Sequence, residues 1–381
     1  MLKQEIINFT VAKDEWLKSQ NDALNYLEGQ KKDKQEKITQ QTILELAKNA
    51  YIEMKRDETF RNNLKDNSKI SFLPVIENVN VSVENLSFDL KVYFLDDLKD
   101  FQVDFQPSAK FQYDKNFESK IEEFKKSFMS NYTFYLDTKE PIQDGNIVIL
   151  EIEMKSKSDN SVRKDTIQVK ANKNATTPVE KEIIGLKVGD EKDITNEFAD
   201  VHLQVKEIKE AKAMPITEEN VKLMGLEKVS TLADIEKEIT TSVKHQIFSD
   251  AVFDYAQRII KEILVKNKPL EIPEDLLLQT FSQANVKTEE MEQVKAQSEN
   301  MISQYFWTNL ISKRLGLEPT ENEMKSEIKL VQNFLGTTDP NQLDFGKIAY
   351  VIISKKLGLY YLNKYEPTEF IFVTQQVPNF W

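Results

Sequence analysis

The sequence predicts an α+β multidomain protein. A chain of 381 residues is long enough to build several separate cores. Its first part mixes helical and alternating strand patterns, whereas nearly everything after Pro215 has helical periodicity. Charged residues make up 30% of the chain and there are only nine glycines, a composition that suits a helix-rich soluble protein.

The N-terminal region reads as an α/β domain. A helical pattern begins after Asp14 and would stop at Gly29, and a second apolar helical face covers residues 43–54. Apolar and polar residues then alternate over 79–83 and 88–94, which is typical of a half-buried antiparallel hairpin.

The middle of the chain predicts a linker helix followed by a small antiparallel sheet. Apolar residues at helical spacing run from Phe117 to Tyr135. After the turn at Asp144-Gly145-Asn146, residues 148–154 alternate between apolar and polar, and later strands are expected near 167–169 and 201–208.

Beyond Pro215 we expect a helical body. Thr231 and Asp234 form a candidate capping box before an apolar face that continues to Ile263. Further helices are expected near 276, 301–315, 320–334 and 345–362. The predicted segments are an N-terminal α/β domain at 1–112, a linker helix at 113–138, a small β domain at 139–212 and a helical body at 213–381.

Composition argues against several classes of function. A net charge of −12 does not suit a protein that coats nucleic acid, and zero cysteines with two histidines leave little for a metal site. The sequence shows no phosphate-binding glycine loop, nucleophile elbow or membrane-length apolar run, and because MLKQEIINF has no apolar stretch we expect no secretory leader. We therefore expect a cytoplasmic binding protein with no cofactor, no metal, no nucleotide and no membrane partner.

One segment carries a family resemblance. Ile183–Glu191, IIGLKVGDE, resembles the helix, tight turn and strand of FKBP-type prolyl isomerase domains. The order of predicted domains resembles the trigger factor family of ribosome-associated chaperones, most closely from Gly145 to Ile263 and least at the N-terminus. The resemblance, that of a divergent member, implies an N-terminal ribosome-binding-like domain, a small FKBP-like domain and a helical, SurA-like C-terminal chaperone body.

The isomerase pocket implied by this resemblance has lost its aromatic wall. FKBP-type catalysis needs an apolar, aromatic-walled pocket that desolvates the X-Pro bond. Ile152 and Val179 stand where the family has aromatic residues, and the loop after Phe198 is shortened. We predict a degenerate pocket near these three residues with no catalytic residue; an active prolyl isomerase is the alternative.

The docking loop implied by the resemblance is also altered. In the trigger factor family, the loop between the first two helices carries the ribosome-docking motif, and of that motif only a glycine and the basic character are found here. Lysine side chains in this loop can contact rRNA phosphates or an acidic ribosomal protein. The alternative is a solvated turn in a free holdase without ribosome association. The predicted docking residues are Gly29, Lys31, Lys32, Lys34 and Lys37.

The resemblance implies an ATP-independent chaperone for apolar segments of nascent or unfolded polypeptides. Flexible methionine and aromatic side chains on the helical body suit such partners because they repack around varied shapes. The candidates for client binding are Met301, Phe306, Met324, Phe334 and Phe345. We expect the tail 370–381 to be either a docked strand or a mobile apolar segment.

Overall fold

The computed structural model describes residues 2–30, 37–158, 161–176, 178–195, 198–226, 229–281, 291–335, 339–378 and 380–381. The chain divides into two compact units, which we describe separately. The first combines Met1–Tyr113 with Phe248–Trp381, and the second is Asp114–Ile247. The observed architecture is mixed, with two antiparallel sheets and ten α-helices in the described residues. The four predicted segments remain predictions as domains.

The N-terminal part of the first unit is a sheet covered by a helical hairpin. Its elements are β1 (Lys3–Thr10), α1 (Lys13–Gln30), α2 (Gln40–Leu64), β2 (Ile70–Ser71), β3 (Val75–Val81) and β4 (Leu86–Leu95). The long β4 pairs antiparallel with β1, β2 and β3. Along β4, buried residues mostly alternate with more exposed ones, as expected for a sheet with one covered face. Trp16 of α1 is fully buried, and its Nε1 donates a hydrogen bond to the carbonyl of Ser82.

The second unit is built on a five-stranded sheet. Its elements are α3 (Phe117–Ser130), β5 (Tyr132–Asp137), β6 (Ile147–Ser156), β7 (Val162–Lys170), α4 (Pro178–Glu182), β8 (Glu191–Thr195) and β9 (Ala199–Met214). The strand order is β5-β9-β6-β7, with β8 also paired to β9. All pairings are antiparallel, as predicted for the small sheet.

The predicted linker helix is too long. The helix ends at Ser130, and residues from Tyr132 onward form β5 against the far end of β9. The reason is the 16-residue length of β9, which extends past its pairing with β6 and offers free backbone groups to β5. Since Phe128 and Tyr132 keep helical spacing, the sequence pattern alone did not show this change.

Two glycines shape the segment that carried the family resemblance. Gly185 and Gly189 both have φ of +90°, a backbone conformation that residues with a Cβ rarely adopt. The amide of Gly185 donates to Ile142, and that of Gly189 donates to Val205, both at 2.8 Å. These residues therefore serve as turns that tie the loop to the sheet.

The helical elements follow in chain order. They are α5 (Leu232–Lys266), α6 (Glu274–Phe281), α7 (Met291–Leu315), α8 (Glu321–Leu335), α9 (Phe345–Tyr365) and α10 (Pro367–Gln376). Residues 232–247 of α5 belong to the second unit and residues 248–266 to the first. The predicted capping box is confirmed: the amide of Asp234 donates to the Thr231 hydroxyl and the Thr231 amide to the Asp234 carboxylate. Within the described part of the chain, no helix combines the length and apolar character that a bilayer crossing requires.

The expected strand or mobile tail is wrong for most of residues 370–381. Residues 367–376 form α10, which starts with proline in its first turn, where a missing N–H costs nothing. Val373 is fully buried, and Val377 and Phe380 are buried as well. Burial of these side chains against the helical body, rather than strand pairing, fixes the tail.

A connecting segment at 98–113 joins the N-terminal sheet to the helices of the same unit. Side chains of the helices bond to its backbone, so the irregular segment has hydrogen-bond partners without forming a strand. The partners are Arg314 with the carbonyls of Leu98 and Phe101, Tyr361 with the carbonyl of Val103, Glu262 with the amides of Ser108 and Ala109, and Glu366 with the amide of Phe111.

Candidate functional site

An open cavity of about 350 Å³ lies in the first unit, where α2, α6, α7 and the loop after β2 meet. We call it the aromatic cleft. Its lining consists of Arg56, Phe60, Phe72, Leu73, Leu276, Gln279, Met301, Ile302 and Tyr305. Helical spacing explains most of this set, because residues four apart share one face of a helix: Arg56 and Phe60 on α2, and Met301 and Tyr305 on α7.

Aromatic rings form the wall of the cleft. The ring of Tyr305 lies 5.8 Å from that of Phe72 and 6.4 Å from that of Phe60, measured between centroids. Behind this layer, Phe306 is fully buried and stacks on Phe72 at 6.4 Å. Tilted and stacked contacts of this kind stabilise pairs of aromatic rings, so these four rings pack as one cluster.

Polar side chains in the aromatic cleft already form hydrogen bonds within the protein. The Tyr305 hydroxyl donates to the carbonyl of Ser71 at 2.9 Å, and burial raises the pKa of Tyr305 to about 12. The guanidinium of Arg56 donates to the carbonyl of Pro74 at 2.8 Å and to the carboxylate of Glu53 at 3.2 Å. The surface offered to a ligand is therefore mainly apolar.

A polar anchor holds α6 at the edge of the aromatic cleft. The Asp275 carboxylate accepts hydrogen bonds from the Tyr93 hydroxyl at 2.7 Å and from Lys91 at 2.9 Å. Burial works against the charged carboxylate, but these hydrogen bonds prevail and lower the pKa of Asp275. A lowered pKa means that the anchor is complete at neutral pH and is lost only as the pH falls through that value.

The aromatic cleft has the chemistry of a binding site for apolar side chains. Met301 stands at its mouth with 63% of its surface exposed, and Leu73 is 38% exposed. Thioether and aromatic groups adapt to apolar partners of different shape. Among the described residues, no cluster of histidine, aspartate and glutamate side chains is arranged to hold a metal ion.

The structure does not bring the predicted client-binding residues whose side chains it describes to one site. Met301 lines the aromatic cleft, whereas Phe306 is buried behind its wall and has no surface to offer. Met324 is half-buried on α8, and Phe345 is 48% exposed at the start of α9. The side chain of Phe334 lies outside the described residues.

Sequence reasoning missed most of the aromatic cleft. Phe60, Phe72 and Leu276 come from three separate elements and are joined only by the tertiary fold. One signal was available: Phe72-Leu73-Pro74 is an apolar run directly before a strand, and a proline there keeps the chain extended.

The predicted docking loop is described only at its ends. Gly29, in the last turn of α1, and Lys37, after the loop, are exposed. Lys31, Lys32 and Lys34 lie outside the described residues.

The predicted isomerase pocket brings two of its three residues to one core. Ile152 and Val179 are partly buried and pack against the buried apolar cluster of the small sheet. Phe198, directly before β9, is 74% exposed. Aliphatic side chains thus stand at the two positions where the resemblance calls for aromatic rings.

Comparison with known proteins finds similarity only at the level of structure. No family model matches the sequence, and no curated protein matches it. One similar solved structure carries the description "Promiscuous Substrate Recognition in Folding and Assembly Activities of the Trigger Factor Chaperone". It is 13% identical, the match covers 96% of this chain and 100% of that one, and the TM-score is 0.38.

Proposed function

We propose that this protein is an ATP-independent chaperone that binds apolar segments of unfolded polypeptides in the aromatic cleft. The observation that carries this proposal is an open apolar cavity with an exposed methionine at its mouth. Exposed apolar surface of this kind marks interaction sites, and unfolded chains present matching apolar side chains.

Binding in the aromatic cleft is expected to be broad and weak. The cleft offers aromatic and aliphatic surface and few free polar groups, so it has little means of selecting one client sequence over another. The sequence contains no phosphate-binding loop, and in this proposal binding and release proceed without nucleotide.

Replacing Met301 by lysine is expected to weaken client binding by about tenfold, because an apolar client would cover an unpaired charge at the mouth of the cleft. The measurement is light scattering of a denatured protein diluted into buffer with each variant. Ile6→Lys is the matched control, since Ile6 is an exposed apolar residue on β1, outside the aromatic cleft. Equal protection of the client from aggregation by wild type and Met301→Lys would contradict client binding in the aromatic cleft.

We infer that the small sheet of the second unit acts as a scaffold and not as a prolyl isomerase. Its support is the aliphatic pair Ile152 and Val179, which pack against the core in place of an aromatic wall. In a protease-coupled assay with a proline tetrapeptide, we expect the uncatalysed rate. A rate that rises in proportion to protein concentration would favour the isomerase alternative.

We propose further that the chaperone works in the cytoplasm near the ribosome exit and docks through the lysine loop after α1. Exposure of Gly29 and Lys37 at the two ends of the loop supports this placement. Wild type should sediment with ribosomes at low salt, and reversing the charges of Lys31, Lys32 and Lys34 to glutamate should abolish it.

The matched control for ribosome docking is reversal of three exposed lysines on other helices. Lys261, Lys295 and Lys329 serve for this, because they change the net charge equally. If wild type stays in the supernatant at low salt, the docking proposal fails and the free holdase alternative stands.

A further inference from the structure

A second cavity, of about 300 Å³, lies beside α7 in the first unit, bounded by α5 and α9. We call it the α5–α7–α9 cavity. Its apolar walls are Ile260, Leu264, Trp307, Ile311, Ile353 and Leu357. These walls alone would make it a second apolar pocket, but its polar lining distinguishes it from the aromatic cleft.

One row of polar side chains on α7 faces this cavity. Asn300, Ser303, Gln304 and Thr308 recur at three- and four-residue spacing, so they lie along one face of the helix. Within the part of the chain that the structure describes, none of these four side chains makes a hydrogen bond. Asn300 and Gln304 are exposed, and Ser303 and Thr308 are half-buried. Amide and hydroxyl groups are therefore available to a ligand.

The opposite wall is fixed by a small hydrogen-bond network. Gln257 of α5 donates to the Ser354 hydroxyl at 3.3 Å and accepts from the Tyr350 hydroxyl at 2.7 Å. Ser354 is 1% exposed, and its own hydroxyl proton remains available after it accepts from Gln257. The network joins α5 to α9 on this side of the cavity.

Among the described residues that line the α5–α7–α9 cavity, no side chain is charged. Lys355 and Lys356, next to Ser354 on α9, are paired with Glu327 and Glu323 instead. A ligand charge buried in the cavity would thus lack a partner, which is costly. A ligand that supplies amide groups and an apolar side chain would satisfy both the polar row and the walls.

We infer that the α5–α7–α9 cavity binds an uncharged segment of unfolded polypeptide. One apolar side chain lies against Trp307, while Ser303, Gln304 and Thr308 pair with backbone amides of the segment. The volume of 300 Å³ is at the small end for ligand sites, so the cavity holds a short stretch of chain. This inference rests on the proposed chaperone function and gives its substrate class.

The test measures binding of a short neutral peptide of glycine, serine, leucine and phenylalanine that carries an uncharged fluorophore. Fluorescence anisotropy compares it with the same peptide bearing aspartate beside leucine, and with an analogue in which an ester replaces the amide at leucine. We expect wild type to bind the aspartate peptide at least about tenfold more weakly. The ester should bind about threefold to tenfold more weakly, because it lacks one amide donor.

The variant is the double substitution Gln304→Leu with Thr308→Val, which keeps the side-chain size and removes the polar groups. It should bind the neutral peptide about threefold to tenfold more weakly for each hydrogen bond lost, and should distinguish amide from ester less than wild type does, because only Ser303 of the three pairing residues remains. Gln297→Leu is the matched control, because Gln297 is an exposed glutamine of α7 that does not line the cavity. Circular dichroism confirms that each variant is folded.

Two outcomes would overturn the inference: equal binding of neutral and aspartate peptides by wild type, or unchanged neutral-peptide binding by the double variant. The aggregation assay, run on the same preparations, separates this failure from failure of the proposed function. Wild type that protects a client but fails the peptide test remains a chaperone without this subsite. Wild type that does not protect a client contradicts the proposed function itself.

Discussion

Replacing Glu327 by alanine is expected to lower the free energy of unfolding by about 3–5 kcal/mol. The Glu327 carboxylate lies 3.0 Å from the Lys355 ammonium, and only 11% and 10% of the two side chains are exposed. Without the carboxylate, Lys355 keeps a buried charge. The Trp381 ring, 5.6 Å from the ammonium, offers a cation–π contact that is too weak to replace an ion pair.

Urea unfolding followed by tryptophan fluorescence measures the effect of Glu327→Ala. The double variant Glu327→Leu with Lys355→Met should recover most of the loss, since an apolar pair of similar size leaves no buried charge. Glu321→Ala is the surface control, because Glu321 and Lys325 form an exposed pair on the same helix, of a kind that contributes at most about 1 kcal/mol. Equal effects of Glu327→Ala and Glu321→Ala would contradict the expected importance of burial.

Replacing Gly358 by alanine is expected to destabilise the protein by about 1–3 kcal/mol, although alanine favours helices over glycine by about 1 kcal/mol. A Cβ at this position would lie 2.5 Å from the carbonyl oxygen of Val252 and 2.7 Å from its Cγ1. One of these contacts is to backbone, so the crossing of α5 and α9 must widen. Thermal unfolding followed by circular dichroism measures the change.

Gly29→Ala is the matched control for Gly358→Ala. Gly29 is exposed in α1, and a Cβ there would meet nothing within 4 Å, so alanine should be neutral or slightly stabilising. Because α5 and α9 also bound the α5–α7–α9 cavity, Gly358→Ala should weaken neutral-peptide binding as well. A Gly358→Ala variant as stable as wild type would contradict this prediction and show that α5 and α9 can move apart at little cost.

Local patterns predicted most of the helices and the alternating strands, but not the pairings made across the fold. β1 was missed because it is an edge strand whose Ile6 is half-exposed and whose alternation is short. The apolar spacing predicts helix where β5 forms, because the partner strand β9 is distant in sequence. The same kind of pattern predicts that α7 begins near Met301, ten residues after its actual start, since its first turns carry few apolar residues.

The site was harder to predict than the fold. Met301 was identified by residue type, but so was Phe306, and only the packing of Phe306 on Phe72 shows that it lies behind the surface. An aromatic residue on a helix looks the same in a sequence whether it is core or site. Phe60 and Leu276 enter the aromatic cleft from elements far apart along the chain, and no local pattern joins them.

The most direct test of the chaperone proposal is site-specific photo-crosslinking from position 301. A photoreactive amino acid in place of Met301 is irradiated with an unfolded client and, separately, with the same client folded; position 6 serves as the exposed control. The proposal predicts crosslinks from position 301 to the unfolded client only, and few from position 6. Equal crosslinking from both positions, or none from position 301 while the protein still prevents aggregation, would contradict client binding in the aromatic cleft.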